Sequence, residues 1–204
     1  SIFVNPKQFN NKNDFKNYPN NINKDLALLK KIKQIDYVYL PKFNDIYNSK
    51  DKSKIKNAKK DKILCARYRK NHFEGVLDVM DRLTNLIRPN KIFMGKKDFQ
   101  QLLLVKNFIE KKYKTKVVGC KTIRDNNKLA LSSRNFLLDK KDLSIAHKIS
   151  RILFSVKNKI QNKRNINKYL NKISKNLKKD FNIKVDYLEN RSEKNLKLSD
   201  KKAK

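Results

Sequence analysis

At 204 residues, the chain is long enough for one large domain or two small ones with buried cores. Its apolar content of 38%, with 11 Phe and 8 Tyr, excludes a globally disordered protein. No apolar run is long enough to cross a bilayer and no secretory signal is visible, so we expect a cytoplasmic protein without a membrane partner. Cys65 and Cys120 are far apart and lack CxxC spacing, which indicates neither a disulfide framework nor a zinc site.

The formal net charge of +33 is high enough to attract nucleic acid through its phosphates. The lysines, however, are scattered through nearly every segment together with many Asn and Ile residues. All three residue types have A/T-rich codons, so genome composition accounts for the excess without a ligand. Zinc-finger spacing, basic-zipper heptads and RNP-type aromatic motifs are absent from the sequence. We therefore expect nonspecific, salt-sensitive binding and no specific nucleic-acid partner; a basic nucleic-acid-binding protein is the alternative.

The first predicted element is an apolar strand at residues 1–4, with no Met before it, so we expect the natural protein to extend upstream. Pro6 stops this strand and favours extended geometry at Asn5. The amides of Asn5 and Gln8 are thus presented at a strand end. An amide donates and accepts at once, which suits a hydroxy acid or an amine. Ordinary turn chemistry, in which Asn before Pro is common, explains Asn5 equally well.

Helices and strands alternate in the next part of the chain. Asn23 is predicted to cap a helix, a strand at 37–40 follows, and the charged stretch 44–62 predicts a mobile surface excursion. A second helix begins after His72 and ends before Pro89. Its inward face is predicted to contain Val76, Val79 or Met80, Leu83, and Leu86 or Ile87. His72 is interpreted either as a catalytic residue or as a hydrogen-bonded structural histidine.

Residues 92–101 contain the most informative local pattern. An apolar strand end is followed by Gly95, which lets the backbone turn and a ligand approach, and Asp98 stands where a helix N-cap would. A strand, a turn and a helix start form the usual ligand edge of an open α/β sheet. The helix N-terminus and Lys97 would stabilise a polyphosphate, and a short carboxylate could hold a ribose hydroxyl. A capped surface helix explains the same residues.

The second half begins with a predicted strand at 116–120 and a polar loop at 128–135. In this loop Ser132, Ser133 and Arg134 form a candidate phosphate clamp, because Arg binds phosphate oxygens in a bidentate fork. Helices at 139–160 and 165–178 and a strand at 183–188 follow. The alternating pattern predicts an α/β fold: a Rossmann-like parallel-sheet domain followed by a smaller α+β domain.

Three motifs in this order resemble the pantoate–β-alanine ligases, also called pantothenate synthetases, of the nucleotidylyltransferase superfamily. They are Ser1-Ile2-Phe3-Val4-Asn5-Pro6-Lys7-Gln8-Phe9, Met94-Gly95-Lys96-Lys97-Asp98-Phe99-Gln100-Gln101 and Leu129-Ala130-Leu131-Ser132-Ser133-Arg134-Asn135. Shorter matches lie between them at Tyr18-Pro19, Asp25-Leu26, Asn71-His72-Phe73-Glu74-Gly75-Val76 and Val117-Val118-Gly119. The resemblance covers essentially the whole chain, and its strength comes from the order and spacing of the motifs.

The resemblance implies an ATP-dependent, AMP-forming ligase that condenses pantoate with β-alanine through a pantoyl adenylate. It implies residues 1–122 as a Rossmann-like domain that binds nucleotide and pantoate, and residues 123–204 as a smaller lid domain. A homodimer and Mg²⁺ accompanying ATP are expected as well.

Site residues follow from the same resemblance. Asn5, Gln8 and Gln101 would bind substrate, with both glutamines on pantoate and Gln8 also near β-alanine. ATP would be held by two segments, with Lys97 and Arg134 on phosphate as the catalytic cations, Asp98 on ribose and Ile123 contacting the nucleotide through its backbone. The nucleotide-binding residues implied in this way are Gly95, Lys96, Lys97, Asp98, Ile123, Leu131, Ser132, Ser133 and Arg134.

The sequence also departs from the family pattern. Lys96 stands where Glu is usual, and Asn71 replaces a usual Gly. The family's histidine-containing phosphate motif, which supplies the proposed proton donor, would precede Ser1, and the chain stops before the family's final strand. We therefore expect a sequence truncated at both ends, and we do not assign the donor role to His72. A catalytically impaired nucleotide-binding relative is a further interpretation.

Overall fold

The computed structural model describes residues 1–47, 55–56, 62–160 and 165–200. Most of the predicted excursion at 44–62 lies outside these residues. Backbone packing divides the chain into two units, Ser1–Lys121 and Thr122–Lys204. The predicted roles of the two domains, substrate binding and lid, stay predictions.

Unit 1 is built around one strand–helix–strand segment. Strand β1 (Lys91–Gly95) leads through a 3₁₀ turn (Lys96–Asp98) into helix α6 (Phe99–Lys112), and the chain returns in strand β2 (Lys116–Cys120). The two strands are parallel, in a register that pairs Lys91 with Lys116 and Gly95 with Cys120. This arrangement confirms the predicted α/β class with parallel strands.

Helices precede this segment in unit 1. They are α1 (Lys12–Lys16), α2 (Ile22–Lys30), α3 (Phe43–Ile46), α4 (Cys65–Tyr68) and α5 (His72–Ile87). The longest, α5, packs on α6, and Val105 and Ile109 of α6 are completely buried in the core between them and β2. Burying an aliphatic side chain of this size contributes about 1.5–3 kcal/mol, so the core fixes the two helices and β2 relative to each other.

The helix predictions are confirmed in position, with differences at the ends. The cap of α2 is Asn21, which accepts from the Lys24 N–H at 3.0 Å, and not Asn23 as predicted. At the end of α5, Leu86 and Ile87 are exposed and not inward, since Arg88 turns the chain in the left-handed conformation before Pro89.

Two predicted strands of unit 1 are extended chain without a ladder. Residues 1–4 and 37–40 lie side by side through one hydrogen bond, from Ile2 N–H to Tyr39 O at 2.9 Å. Tyr37 is almost fully exposed, so the apolar run around it does not form the buried strand that its composition predicts. A strand depends on pairing with a neighbour, and that pairing is not encoded in the run itself.

Unit 2 consists of two long helices and irregular polar segments. Helix α7 (Lys140–Lys159) begins after Asp139, the first residue of the predicted helix. Asp139 is its N-cap and accepts from Asp142 N–H at 2.7 Å, and α8 (Ile166–Phe181) follows. Val156, Ile166 and Leu170 form a buried core in unit 2. Isolated antiparallel bridges join Arg124 to Ala130 and Arg191 to Leu198, whereas residues 183–188 do not form the predicted strand.

Within the described ranges of both units, no helix is long and apolar enough to cross a membrane.

Candidate active site

The end of β1 places a lysine–aspartate pair at the start of α6. Asp98 occupies the predicted N-cap position, but its side chain makes no capping hydrogen bond. Lys97 Nζ instead donates to Asp98 Oδ1 at 3.3 Å and Oδ2 at 3.4 Å, and both side chains are well exposed. An exposed pair of this kind contributes less than about 1 kcal/mol, so both groups can turn towards a ligand at small cost.

Gly95 has ordinary extended backbone angles, φ −70° and ψ 133°, so the turn here does not require a glycine. Any L-residue adopts these angles. A Cβ built on Gly95 would meet no atom within 4 Å. The glycine therefore leaves open space at the strand end, which fits the other part of the prediction, close approach of a ligand.

Lys96 is exposed and its alkyl stem lies over the neighbouring strand. A Cβ built on Gly119 of β2 would be 3.1 Å from Lys96 Cε and 2.9 Å from a Leu102 methyl carbon. Gly119 thus gives the Lys96 stem room to pack on the sheet. This arrangement gives Lys96 a packing role in addition to its charge.

Asn5 is buried, with 1% exposure, and its amide bonds to the protein. Nδ2 donates to Gly75 O at 3.0 Å, while Oδ1 accepts from Lys7 N–H at 3.1 Å and from Tyr47 O–H at 3.0 Å. These contacts tie the 3₁₀ turn Pro6–Gln8 to α5. Asn5 therefore supports the turn that carries Gln8.

Gly75 is a residue of this site that the sequence argument did not identify as essential. A Cβ at position 75 would lie 2.3 Å from Lys7 O and 2.6 Å from Lys7 C, both backbone atoms. Only glycine lets the 3₁₀ turn lie directly on the helix. The signal was present in the sequence as a glycine inside a helical pattern, where it costs about 1 kcal/mol relative to Ala and therefore suggests a packing reason.

Charged groups around Asp78 support the same turn. Asp78 is buried and accepts from Arg82 Nε at 2.7 Å, and Lys7 Nζ lies 3.6 Å from its other oxygen. Lys7 Nζ also sits 3.8 Å from the centroid of the Tyr47 ring. Burial raises the pKa of the Tyr47 phenol, and the Asp78 charge raises it further, so Tyr47 stays protonated and donates to Asn5.

Gln8 and Gln101 are half-buried, and in the described part of unit 1 their side-chain amides make no hydrogen bond. Gln8 ends the 3₁₀ turn, and Gln101 lies in the first turn of α6. Both elements pack on α5. The two amides are thus fixed at the backbone and open at the side chain, which is what binding a polar substrate requires.

In unit 2, the predicted phosphate-binding segment follows a tight turn. Leu131 N–H donates to Ile123 O at 3.0 Å, so the backbone carbonyl of Ile123 is engaged. Ser132 Oγ accepts from Arg134 N–H at 3.3 Å and begins the 3₁₀ turn Ser133–Leu137. Ser133 and Arg134 are exposed, so the segment presents a hydroxyl and a guanidinium on an ordered turn.

Asp125 anchors this turn to α7. Its carboxylate accepts from Asn127 N–H, Leu129 N–H and His147 Nε2, the last at 2.8 Å. Desolvation raises the pKa of Asp125, but the hydrogen bonds from Leu129, His147 and Asn127 together outweigh it, and the pKa lies below its ordinary value. An open hollow of about 660 Å³ is lined by Asp125, His147, Ser132, Ser133 and neighbouring apolar residues.

The predicted site residues therefore form two groups. In unit 1 the structure holds Asn5 and Gln8 against α5, and Gly95, Lys96, Lys97, Asp98 and Gln101 around the start of α6. In unit 2 it holds Ile123, Leu131, Ser132, Ser133 and Arg134 in one ordered turn.

Comparison with known proteins identifies the family. The family model of pantoate-beta-alanine ligase matches residues 1–204. The chain belongs to the pantoate–β-alanine ligase family. Members of this family are ATP-dependent, AMP-forming ligases. The pantothenate synthetase of Pseudothermotoga lettingae is 34% identical over 203 residues, which cover 98% of this chain and 72% of that protein.

Solved structures of the family confirm the fold. A crystal structure of the Thermus thermophilus pantothenate synthetase matches with a TM-score of 0.90 at 27% identity, covering 99% of this chain and 74% of that one. The Francisella tularensis ligase, in a complex with β-γ ATP and β-alanine, matches with a TM-score of 0.71 at 38% identity. That match covers 74% of this chain and 59% of the Francisella chain.

Proposed function

We propose that this pantoate–β-alanine ligase family member condenses pantoate with β-alanine through a pantoyl adenylate, using ATP and releasing AMP and pyrophosphate. The observation that carries the proposal is the match of all 204 residues to the family, with the lysine–aspartate pair exposed at the strand–helix edge. The Francisella relative that binds β-γ ATP and β-alanine supports the assignment of nucleotide and amine.

Unit 1 would bind pantoate and part of ATP. The side-chain amides of Gln8 and Gln101 would hold the hydroxyl and carboxylate groups of pantoate, with Gln8 also near β-alanine. Gly95 leaves room for the nucleotide, Lys97 would contact phosphate, and Asp98 would accept from ribose hydroxyls. Breaking the exposed Lys97–Asp98 pair costs little, so both side chains are available for these roles.

Unit 2 would supply the second set of phosphate ligands. Arg134 and the hydroxyls of Ser132 and Ser133 would bind phosphate oxygens. The N–H of Ile123 would contact the nucleotide, since its carbonyl is already bonded to Leu131. Leu131 is exposed and would lie beside these groups.

The residues would act mainly by position and charge. A pantoate carboxylate oxygen attacks the α-phosphorus, the bond to the bridging oxygen breaks, and pyrophosphate leaves. The β-alanine amine then attacks the acyl carbon, AMP leaves with the bonding electron pair, and the amine gives up a proton. Negative charge spreads over phosphoryl oxygens in the first transition state, where Lys97 and Arg134 would stabilise it.

Mg²⁺ enters this proposal as part of the ATP substrate. Among the described residues, no cluster of three His, Cys, Asp or Glu side chains could hold a metal ion. Mg²⁺ commonly keeps several waters and binds through substrate phosphates, so a protein cage is not required. A homodimer and a cytoplasmic location complete the proposal; light scattering in solution would test the dimer.

The assignment is tested by ATP–pyrophosphate exchange with the complete natural protein. We expect exchange that depends on pantoate, and pantothenate formation when β-alanine is added. Lys97→Ala should reduce exchange by about 10²–10³-fold, as for loss of one transition-state donor. Lys111→Ala removes the same charge from the far end of α6 and should have little effect. Exchange that is indifferent to pantoate would refute the substrate.

A further inference from the structure

The backbone of Gln8 is held by a histidine that the proposed chemistry does not use. His72 is buried at the start of α5, and its Nδ1 lies 2.7 Å from Gln8 O. A carbonyl oxygen only accepts, so Nδ1 must carry the proton and donate. The two residues are 64 positions apart in the chain, and this bond joins the Pro6–Gln8 turn to the helix.

A second contact fixes the tautomer of His72. Arg69 Nη1 lies 3.1 Å from Nε2 of the ring. A guanidinium has donors and no acceptor, so Nε2 must be unprotonated and accept from Arg69. The neutral ring with its proton on Nδ1 satisfies both contacts at once. Arg69 therefore selects the ring form that can hold Gln8.

The local backbone brings His72 to this position. Asn71, where the family usually has Gly, adopts the left-handed conformation with φ 60° and ψ 4°. Asn tolerates that region better than most residues, which explains why this departure from the family is acceptable. One turn further along the helix, the missing side chain of Gly75 leaves room for the Lys7 carbonyl to lie against its Cα. His72 and Gly75 thus contact two consecutive residues of the same turn, Gln8 and Lys7.

We propose that His72, with its tautomer fixed by Arg69, is a positioning residue that sets the direction of the Gln8 side chain towards pantoate. This inference rests on the proposed function, in which Gln8 binds pantoate. The hydrogen bond from Nδ1 to Gln8 O fixes the backbone from which the open amide extends. Loss of that bond lets the end of the turn move while the Asn5 and Gly75 contacts keep the rest of it in place.

Two amide substitutions separate this role from a general effect on folding. In His72→Asn the amide nitrogen stands near the place of Nδ1 and can still donate to Gln8 O. In His72→Gln the amide group stands near Nε2, so the contact with Arg69 is kept and the bond to Gln8 is lost. Both variants replace an aromatic ring by an amide, so the two substitutions should lower the Tm by similar amounts.

The readouts are the pantoate and ATP Michaelis constants in the exchange reaction and calorimetric pantoate binding, all with the complete protein. We expect His72→Gln to raise the KM and Kd for pantoate by about tenfold, the value of one hydrogen bond, with an unchanged KM for ATP. His72→Asn should recover most of the lost affinity. Amide exchange of residues 5–9 should be faster in His72→Gln than in His72→Asn.

Other outcomes would overturn the proposal in distinguishable ways. If the wild-type protein binds pantoate but the two variants have equal constants for it, the positioning role of His72 is wrong and the proposed function stands. If the KM values for pantoate and ATP rise together in His72→Gln, the histidine has a general structural role. A wild-type protein without affinity for pantoate would overturn the substrate together with this role.

Discussion

At the scale of single residues, two glycines of unit 1 show how differently the same residue type can be used. Gly75 is in contact with backbone atoms of the Pro6–Gln8 turn, whereas Gly95 borders open space and has ordinary backbone angles. Neither glycine has a positive φ. Packing within the chain therefore requires glycine at position 75. At position 95, glycine leaves open space that a bound ligand could occupy.

Gly95→Ala should leave stability nearly unchanged while it weakens ATP binding. A Cβ at this position meets nothing within the described chain, and Ala restricts the unfolded state, so unfolding should cost the same or up to about 1 kcal/mol more. If the nucleotide passes over Gly95, the added methyl group should raise the Kd for ATP several-fold. Denaturant unfolding and ATP calorimetry measure the two effects; unchanged ATP affinity would remove Gly95 from the site.

Asp125 gives a prediction about pH. Its pKa lies below the ordinary value of 3.8, so its ionised form adds stability above that pH, and the stability is lost as the pH falls through the lowered pKa. His147→Leu removes one of the interactions that lower the pKa, which should therefore rise. His147→Gln, which keeps a donor near Nε2 without a charge, should have the smaller effect. NMR titration of the Asp125 carboxyl group measures its pKa in each variant. An unchanged pKa in His147→Leu would show that the backbone N–H groups alone lower it.

At the scale of elements, the contact between α5 and the Pro6–Gln8 turn positions half of the unit 1 site. Asn5, Gly75 and Tyr47 join the turn to the helix. The same helix packs on α6, which carries Gln101. A single rigid helix therefore relates the two glutamines that we propose for pantoate.

Gly75→Ala should destabilise the protein in spite of a better helix propensity. Ala is favoured over Gly inside a helix by about 1 kcal/mol, but its Cβ would lie 2.3 Å from a backbone carbonyl oxygen that cannot rotate away. Overpacking of this kind typically costs about 1–3 kcal/mol, so we expect a net loss and a displaced turn. Urea unfolding beside Gly95→Ala as the matched control measures the difference. Equal stabilities of the two variants would contradict the close contact.

The sequence predicted the elements with local signals and missed the features that depend on distant partners. Periodicity located α5, α6 and α7, and the predicted start of α7 at residue 139 lies at its N-cap, Asp139. The strand at 37–40 was wrong because pairing decides strand formation, and the run has one backbone bond to residues 1–4.

The candidate site shows the same division. The lysine–aspartate pair at the strand end was predicted from the local pattern of residues 92–101, and Asp98 does stand at the N-cap. The bond between His72 and Gln8 joins residues 64 positions apart, and no local pattern encodes it. From the sequence alone, Asn5 could be assigned to a ligand or to a turn; in the structure it is buried and bonds to the turn and to α5, while its role in substrate binding stays a prediction.

At the scale of the whole molecule, positive charge is spread over many elements. Helix α8 is an example, with exposed lysines at positions 168, 172, 175 and 179 along one helical face and a single acidic residue. The net charge of +33 exceeds what one anion site requires. A charge distributed in this way attracts polyanions without selecting a sequence.

Binding to duplex DNA should therefore be weak at physiological salt and independent of sequence. Each neutralised phosphate releases counterions, so affinity should fall steeply, by at least about tenfold, between about 50 and 200 mM salt. Fluorescence anisotropy with two unrelated duplexes measures both properties. Selective binding that persists at physiological salt would instead support a dedicated nucleic-acid role.

The hydrogen bonds between the Asn5 amide and the protein have a consequence for inhibitor chemistry. A compound that reaches for this side chain must displace its bonds to Gly75, Lys7 and Tyr47, each worth about 1 kcal/mol, before it gains anything. In the described chain, the side-chain amides of Gln8 and Gln101 have no hydrogen bonds that a compound would have to displace. Inhibitor affinity should therefore depend on the groups that contact these two glutamines. Groups added to reach the buried asparagine should bring no gain in affinity.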